Sequence, residues 1–202
     1  MTQVVLVRHG ESQWNAEGRL QGQGGTHLSA LGERQAKVTA DYLCRRFPDA
    51  QAVRSDLERV IQTAQPWEAQ TGVMAGEDVR WREIDVGTWS GLTWDEVAVA
   101  DPSTLAAWRS GADVRRGGGE TFAELRARTH EALQSLAGVG GTMIVFTSGG
   151  CIRLGVAAVL GLPLMGEHVL GPAGNCSVTE LTLETGRSVL VDYNGRDHLA
   201  TI

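Results

Sequence analysis

The 202-residue chain is predicted to fold as a three-layer α/β/α sandwich around a mostly parallel central sheet. Two observations carry this. Val4 to Val7 and Thr142 to Thr147 are continuous apolar, β-branched runs, the pattern of strands covered on both faces. Around them lie stretches with helical apolar spacing, and element types that alternate along one chain build a sheet with helices on its faces. There are no internal repeats, low-complexity tracts or long linkers, so residues 1–202 read as a single domain.

Each element has its own local signal. Leu28 to Phe47 places Leu31, Ala36, Ala40 and Leu43 at helical spacing, with Ser29 as N-cap and Pro48 as the stop. A short strand is expected near Ala52 and Val53. Ser55-Asp56-Leu57-Glu58 has the form of a capping box, and Leu57, Val60, Ile61 and Ala64 then share one face, so a helix is expected from Ser55 to Gly72. Val79 to Trp81 reads as a further short strand. Residues 89–120 mix short helical pieces with "RRGGGE" and sustain no period, so they read as a lid-like excursion over one end of the sheet. Thr121 to Leu136 is expected to be helical, as is Gly150 to Leu160 after the second buried strand. Ser177 to Leu183 and Ser188 to Tyr193 pair as a hairpin around Glu184-Thr185-Gly186.

Composition narrows the function classes. The 18 basic against 24 acidic side chains give a formal charge of −6, which argues against nucleic acid or an anionic membrane as partner, because both need a basic face. Any phosphate site must be a local basic pocket. No apolar run approaches the roughly 18–20 residues of a transmembrane helix, and the N-terminus lacks the regions of a secretory signal, so the expected location is the cytoplasm. Cys44, Cys151 and Cys176 form no ligand-spaced pair, which leaves neither a disulfide framework nor a metal centre to expect.

Ligands of such sheets bind beyond the carboxyl ends of the strands. Arg8 and His9 end the first buried run, and Gly10 is expected to let the chain turn away through backbone angles closed to other residues. The second run ends at Thr147-Ser148, after which Gly149 and Gly150 open a helix whose free N–H groups suit an anion. Arg59, in the first turn of the Ser55 helix, adds a guanidinium and the positive end of a helix dipole. Three separate segments thus converge on a phosphoryl group.

The order and spacing of "LVRHGESQWN", "SDLERVIQTA", "REIDVGTWSG", "GGGETFAEL" and "VFTSGG", with "NCSVTEL" and "YNGRDHL" near the end, resemble the histidine phosphatase superfamily, with its phosphoglycerate-mutase-like fold, over nearly the whole chain. The resemblance implies a metal-independent reaction with no cofactor, in which His9 is the nucleophile that becomes a phosphohistidine. It implies that Arg8 and Arg59 clamp the phosphoryl oxygens, that Asn15 and the Gly149 amide donate to them, and that Glu83 protonates the leaving oxygen, with Asp85 as the nearby competitor. The departure is Ser148, which stands where the family pattern has a second histidine. A serine there is expected to present one neutral hydroxyl to the phosphoryl group and to weaken the site without silencing it.

The expected activity is hydrolysis of a small phosphorylated metabolite. "REIDVGTWSG" lacks the Tyr-Gly that follows the glutamate in the mutases, and the chain is compact, so phosphoglycerate-mutase-type transfer is the alternative, as is a phospholigand-binding protein with reduced turnover. A homodimer stays open. His27, His130, His168 and His198 read as surface or packing residues, and Cys151 as a small buried one. The tryptophans read chiefly as packing, with Trp14 and Trp89 as candidates for a pocket wall. Arg115 and Arg116 read as a solvated loop rather than as a grip on a second substrate anion.

Overall fold

β1 (Thr2–Arg8) and β4 (Thr142–Thr147) pair in parallel at the centre of the sheet, as two unbroken apolar runs require. The computed structural model describes residues 1–184, 186–200 and 202. The other strands are β2 (Gln51–Arg54), β3 (Gly76–Glu77), β5 (Val178–Glu184) and β6 (Arg187–Gly195), and the sheet order is β3-β2-β4-β1-β5-β6. The β3, β2, β4 and β1 strands run parallel, while β5 and β6 form the antiparallel hairpin at one edge. Thr185, in the predicted turn of that hairpin, lies outside the described residues.

The helices are α1 (Gln13–Ala16), α2 (Ala30–Arg46), α3 (Glu58–Thr71), α4 (Trp94–Ala100), α5 (Pro102–Arg109), α6 (Phe122–Leu136) and α7 (Gly149–Val159). Side chains alternate across a strand, so each strand feeds two cores. Val5, Val7, Ile144 and Phe146 meet α2 and α3 through Leu43, Val60, Ala64 and Trp67. Val4, Leu6 and Val145 meet α6 and α7 through Leu125, Leu133 and Ile152. The result is the three-layer sandwich, with α4 and α5 in the excursion of residues 89–120.

Three local expectations are corrected. Helix α3 begins at Glu58 with Leu57 as N-cap and no side-chain cap. The predicted capping box does not form, because the Ser55 N–H continues the strand ladder to Phe146 O at 3.2 Å and the Asp56 carboxylate pairs with Arg82. Val79–Trp81 is a 3₁₀ turn, not a strand: the Asp78 carboxylate accepts from the Arg80 N–H at 2.9 Å, a local bond that competes with sheet pairing. Gly10 is needed for closeness rather than for an unusual backbone angle. A Cβ there would sit 2.7 Å from Gly32 O, and one on Gly32 would sit 2.0 Å from Glu11 O, so the two glycines let the first turn of α2 lie against the segment that follows β1.

Gly32→Ala is therefore expected to push α2 off that segment and destabilise the fold by about 1–3 kcal/mol, measured by chemical denaturation. An alanine that fitted at no cost would show that the contact is softer than it stands.

Candidate active site

The sheet brings the ends of β1 and β4 side by side, with Arg8 in register with Thr147. One residue on, the His9 N–H donates to Thr147 O at 2.9 Å, which extends the ladder and fixes the histidine backbone. His9 is 2% exposed. Its Nδ1 lies 2.7 Å from Gly10 O, a contact in which only an N–H can donate, so Nε2 carries the lone pair. Burial, then the charges of Arg59 and Arg8, hold the imidazole pKa well below 6.5, and the ring is neutral at neutral pH.

Arg59 comes from the first turn of α3, where the helix start at Glu58 places it facing β1. Its Nε donates to His9 Nε2 at 3.2 Å, while Nη1 and Nη2 donate to Gly24 O at 2.6 Å and Gly22 O at 2.7 Å. A second bond ties the same helix to the site one turn on, since Thr63 Oγ1 accepts from the Gly10 N–H at 3.0 Å. Burial lowers the Arg59 pKa to about 10, which leaves it charged. Arg8 is anchored by Nη1 on Ala173 O at 2.7 Å, and its Nε is buried with no hydrogen-bond partner among the described residues. Asn15 Oδ1 accepts from the Ser12 N–H at 3.2 Å and from Asn175 Nδ2 at 3.1 Å, so its amide NH₂ is the end left for a ligand.

Glu83 reaches the same point from the segment after the 3₁₀ turn. One carboxylate oxygen accepts from its neighbour's Ile84 N–H at 2.8 Å, the other from the Gly150 N–H at 3.1 Å in the first turn of α7. A Cβ on residue 150 would lie 2.1 Å from Glu83 Oε1, so only glycine lets the carboxylate cap this helix. Asp85, its competitor in sequence, instead accepts from the Gly87 N–H at 2.8 Å.

Arg8, His9, Asn15, Arg59, Glu83 and Gly149 all line one cleft of about 380 Å³. Ser148 does not. It is the N-cap residue of α7, fully buried, and its hydroxyl caps nothing and has no hydrogen-bond partner among the described residues. The expectation that Ser148 presents a hydroxyl to the phosphoryl group is thus corrected: the side chain is fully buried and is not among the residues that line the cleft. None of the other histidines lines the cleft either. His27 bonds Gln62, His168 bonds Met165 O, and His198 bonds Thr39 and stacks on Tyr42.

Several cleft residues were read otherwise or missed in the sequence. Trp94 and Trp108 form wall, not Trp14 or Trp89; the Trp89 indole is buried and donates to Asp101 at 3.0 Å. Arg116 is 8% exposed and lines the cleft, its guanidinium 4.3 Å from the centre of the Phe122 ring, whereas Arg115 is the exposed partner of Glu124. Arg153, one turn into α7, also lines it. Its position in "SGGCIR" is the one signal that pointed there.

A family model for the histidine phosphatase superfamily (branch 1) matches residues 4–196. The chain belongs to the histidine phosphatase superfamily. Among its relatives, a glucosyl-3-phosphoglycerate phosphatase of Mycolicibacterium vanbaalenii is 36% identical over 191 residues, covering 90% of this chain and 84% of the relative. A metal-independent phosphoserine phosphatase of Arabidopsis thaliana is 32% identical over 210 residues, covering 100% and 85%. A mycobacterial glucosyl-3-phosphoglycerate phosphatase solved with VO₃ superposes with a TM-score of 0.85 at 32% identity, over 96% of this chain and 99% of that one. Among the described residues, no three His, Cys, Asp or Glu side chains of this superfamily member gather as a metal site, and no helix is long and apolar enough to cross a membrane.

The depressed pKa of His9 sets a sign for stability against pH. Above 6.5 both folded and unfolded chains carry the neutral ring; as pH falls below 6.5, the unfolded chain takes up a proton that the folded site refuses, so stability drops. His9→Gln is expected to lose stability less steeply than the wild type on acidification from pH 7, measured as Tm against pH. Parallel curves would mean that His9 is not held neutral.

Proposed function

We propose that this protein is a metal-independent phosphatase that hydrolyses small phosphomonoesters through a phosphohistidine on His9. The observation that carries the reading is a neutral imidazole whose lone-pair nitrogen, Nε2, is met by the Arg59 Nε–H at the floor of a cationic cleft. When a phosphomonoester binds, that N–H and the Arg8 Nε–H pass to phosphoryl oxygens, joined by the Asn15 amide and the N–H groups at the start of α7. His9 Nε2 then attacks phosphorus in line. The P–O bond to the alcohol breaks, and Glu83 gives its proton to the departing oxygen. Water attacks the phosphohistidine, Glu83 takes the water proton, and phosphate and the free imidazole are restored. Mutase-type transfer needs a phosphohistidine protected until an intermediate reorients, and a cleft lined by one imidazole favours hydrolysis instead.

The cleft also specifies the leaving group. Arg116 is a buried cation with no ion pair among the described residues, and its Nη2 has no hydrogen-bond partner, whereas Arg153 faces Glu167 at 3.8 Å. Burying a charge without a partner is costly. The guanidinium carbon sits over the Phe122 ring, 4.3 Å from its centre, and Nη2 has no partner among the described residues, which leaves this group for a planar anion. Residues 89–120 therefore act as a lid that carries Arg116 to a carboxylate on the alcohol, and the compounds named for both relatives, a glucosyl phosphoglycerate and phosphoserine, carry one.

Incubation with labelled phosphoserine is expected to leave acid-labile phosphate on His9 and to release inorganic phosphate. His9→Ala should do neither, and Ser148→Ala should stay within a few-fold of wild-type kcat/KM because its hydroxyl does not reach the cleft. Binding without turnover or labelling would identify a phospholigand-binding protein. Arg116→Met should lower kcat/KM for phosphoserine on the order of 10²-fold while barely changing it for phosphoethanolamine, which differs by the carboxylate. Equal losses on both substrates would remove Arg116 from recognition.

A further inference from the structure

Residues 82–86 belong to no helix or strand, yet they must hold the Glu83 carboxyl in hydrogen-bond reach of a leaving oxygen. The Ile84 N–H is spent on the Glu83 side chain, the Arg82 N–H bonds to Val79 O at 3.1 Å, and the Cys151 thiol donates to Arg82 O at 2.9 Å. The side chain that bridges the most carbonyls of this stretch comes from α6. Arg128 Nη1 donates to Arg80 O at 2.8 Å and to Arg82 O at 2.6 Å; Nη2 donates to Glu83 O at 2.9 Å and to Glu120 Oε2 at 2.8 Å; Nε donates to Glu120 Oε1 at 2.9 Å. All the N–H groups of the guanidinium are thereby satisfied in one plane. Glu120 closes the frame by accepting the Asp85 N–H at 2.8 Å on its side chain, while its own N–H donates to Asp85 O at 2.9 Å.

We infer, on the reading of Glu83 as proton donor, that Arg128 and Glu120 are positioning residues whose clamp on the carbonyls of residues 80, 82 and 83 aims the Glu83 carboxyl at the leaving oxygen. Arg128 does not line the cleft and touches no substrate. It acts from behind. The carboxyl is thus held at two ends by one helix pair: α6 grips its backbone through Arg128, and α7 grips its carboxylate through the Gly150 N–H. The bidentate carboxylate of Glu120 neutralises the guanidinium, so the clamp orients the acid without placing a bare cation beside it. Lysine cannot replace Arg128, because three donors on one atom do not span three carbonyls and a carboxylate.

A misaimed acid has a signature that a loosened fold does not. Proton donation matters for a poor leaving group and hardly for a good one, so kcat/KM is compared on phenyl phosphate and on 2,4-dinitrophenyl phosphate. Glu83→Gln is expected to lose on the order of 10²-fold on phenyl phosphate and little on the dinitrophenyl ester. Arg128→Met and Arg128→Lys should reproduce that split at about a tenth of its size or more, with circular dichroism and Tm confirming a folded chain. If Arg128→Met does not fold, Glu120→Gln, which keeps the cation and breaks the bidentate grip, should show the same split. Equal losses on the two esters, or none, in folded Arg128 and Glu120 variants would overturn the clamp. If Glu83→Gln itself showed no split, the assignment of Glu83 as proton donor would fall, and that result is read separately from the Arg128 variants.

Discussion

A guanidinium that donates to an imidazole has to sit beside a neutral ring, and that requirement organises this protein. The Arg59 bond to His9 Nε2 exists only because the ring keeps its proton on Nδ1, against Gly10 O. Burial excludes the water that would otherwise favour the imidazolium, and the two arginines oppose a further positive charge. The same contact requires helix α3 to start where it does. A helix that began at Ser55, as its sequence suggests, would give the pairing to β4 less chain and carry Arg59 elsewhere on the helix.

The cleft concentrates positive charge in a chain whose net charge is −6. Low-dielectric walls make that concentration effective, because an anion there meets arginines whose hydrogen bonds to backbone carbonyls have already fixed their directions. Arg59 holds the carbonyls of the loop at Gly22 and Gly24, and Arg8 that of Ala173. Two regions far apart in sequence are thereby tied to the phosphoryl site. Arg116 extends the charge along the cleft, which Trp94 and Trp108 also line.

Ser148 shows how a motif position and a site position differ. The backbone at residue 148 stands at the start of α7, but a hydroxyl one carbon from the backbone stays buried there. Glu83 caps the helix in its place, from another segment of the chain, and Gly150 permits it.

Much of this was legible in the residues themselves. Val4 to Val7 and Thr142 to Thr147 determined the two central strands, because short, β-branched apolar runs suit a doubly covered strand better than a helix, and the strand ends determined where Arg8 and His9 would face. Ser29 capped α2 and Thr121 capped α6 as their local chemistry dictates. The motif spacing was enough to name the family and six of the residues that line the cleft. Only the tertiary structure decided the rest, because each remaining choice was a competition between a local bond and a distant one. Asp56 left its helix for Arg82, Ser55 joined a strand instead of capping, and Arg116, which has the polarity of a solvated loop, was buried against Phe122. Arg128 is the clearest case. Nothing near it in sequence needs five donors; the carbonyls of residues 80, 82 and 83 acquire that need only once the packing of α6 has brought them together.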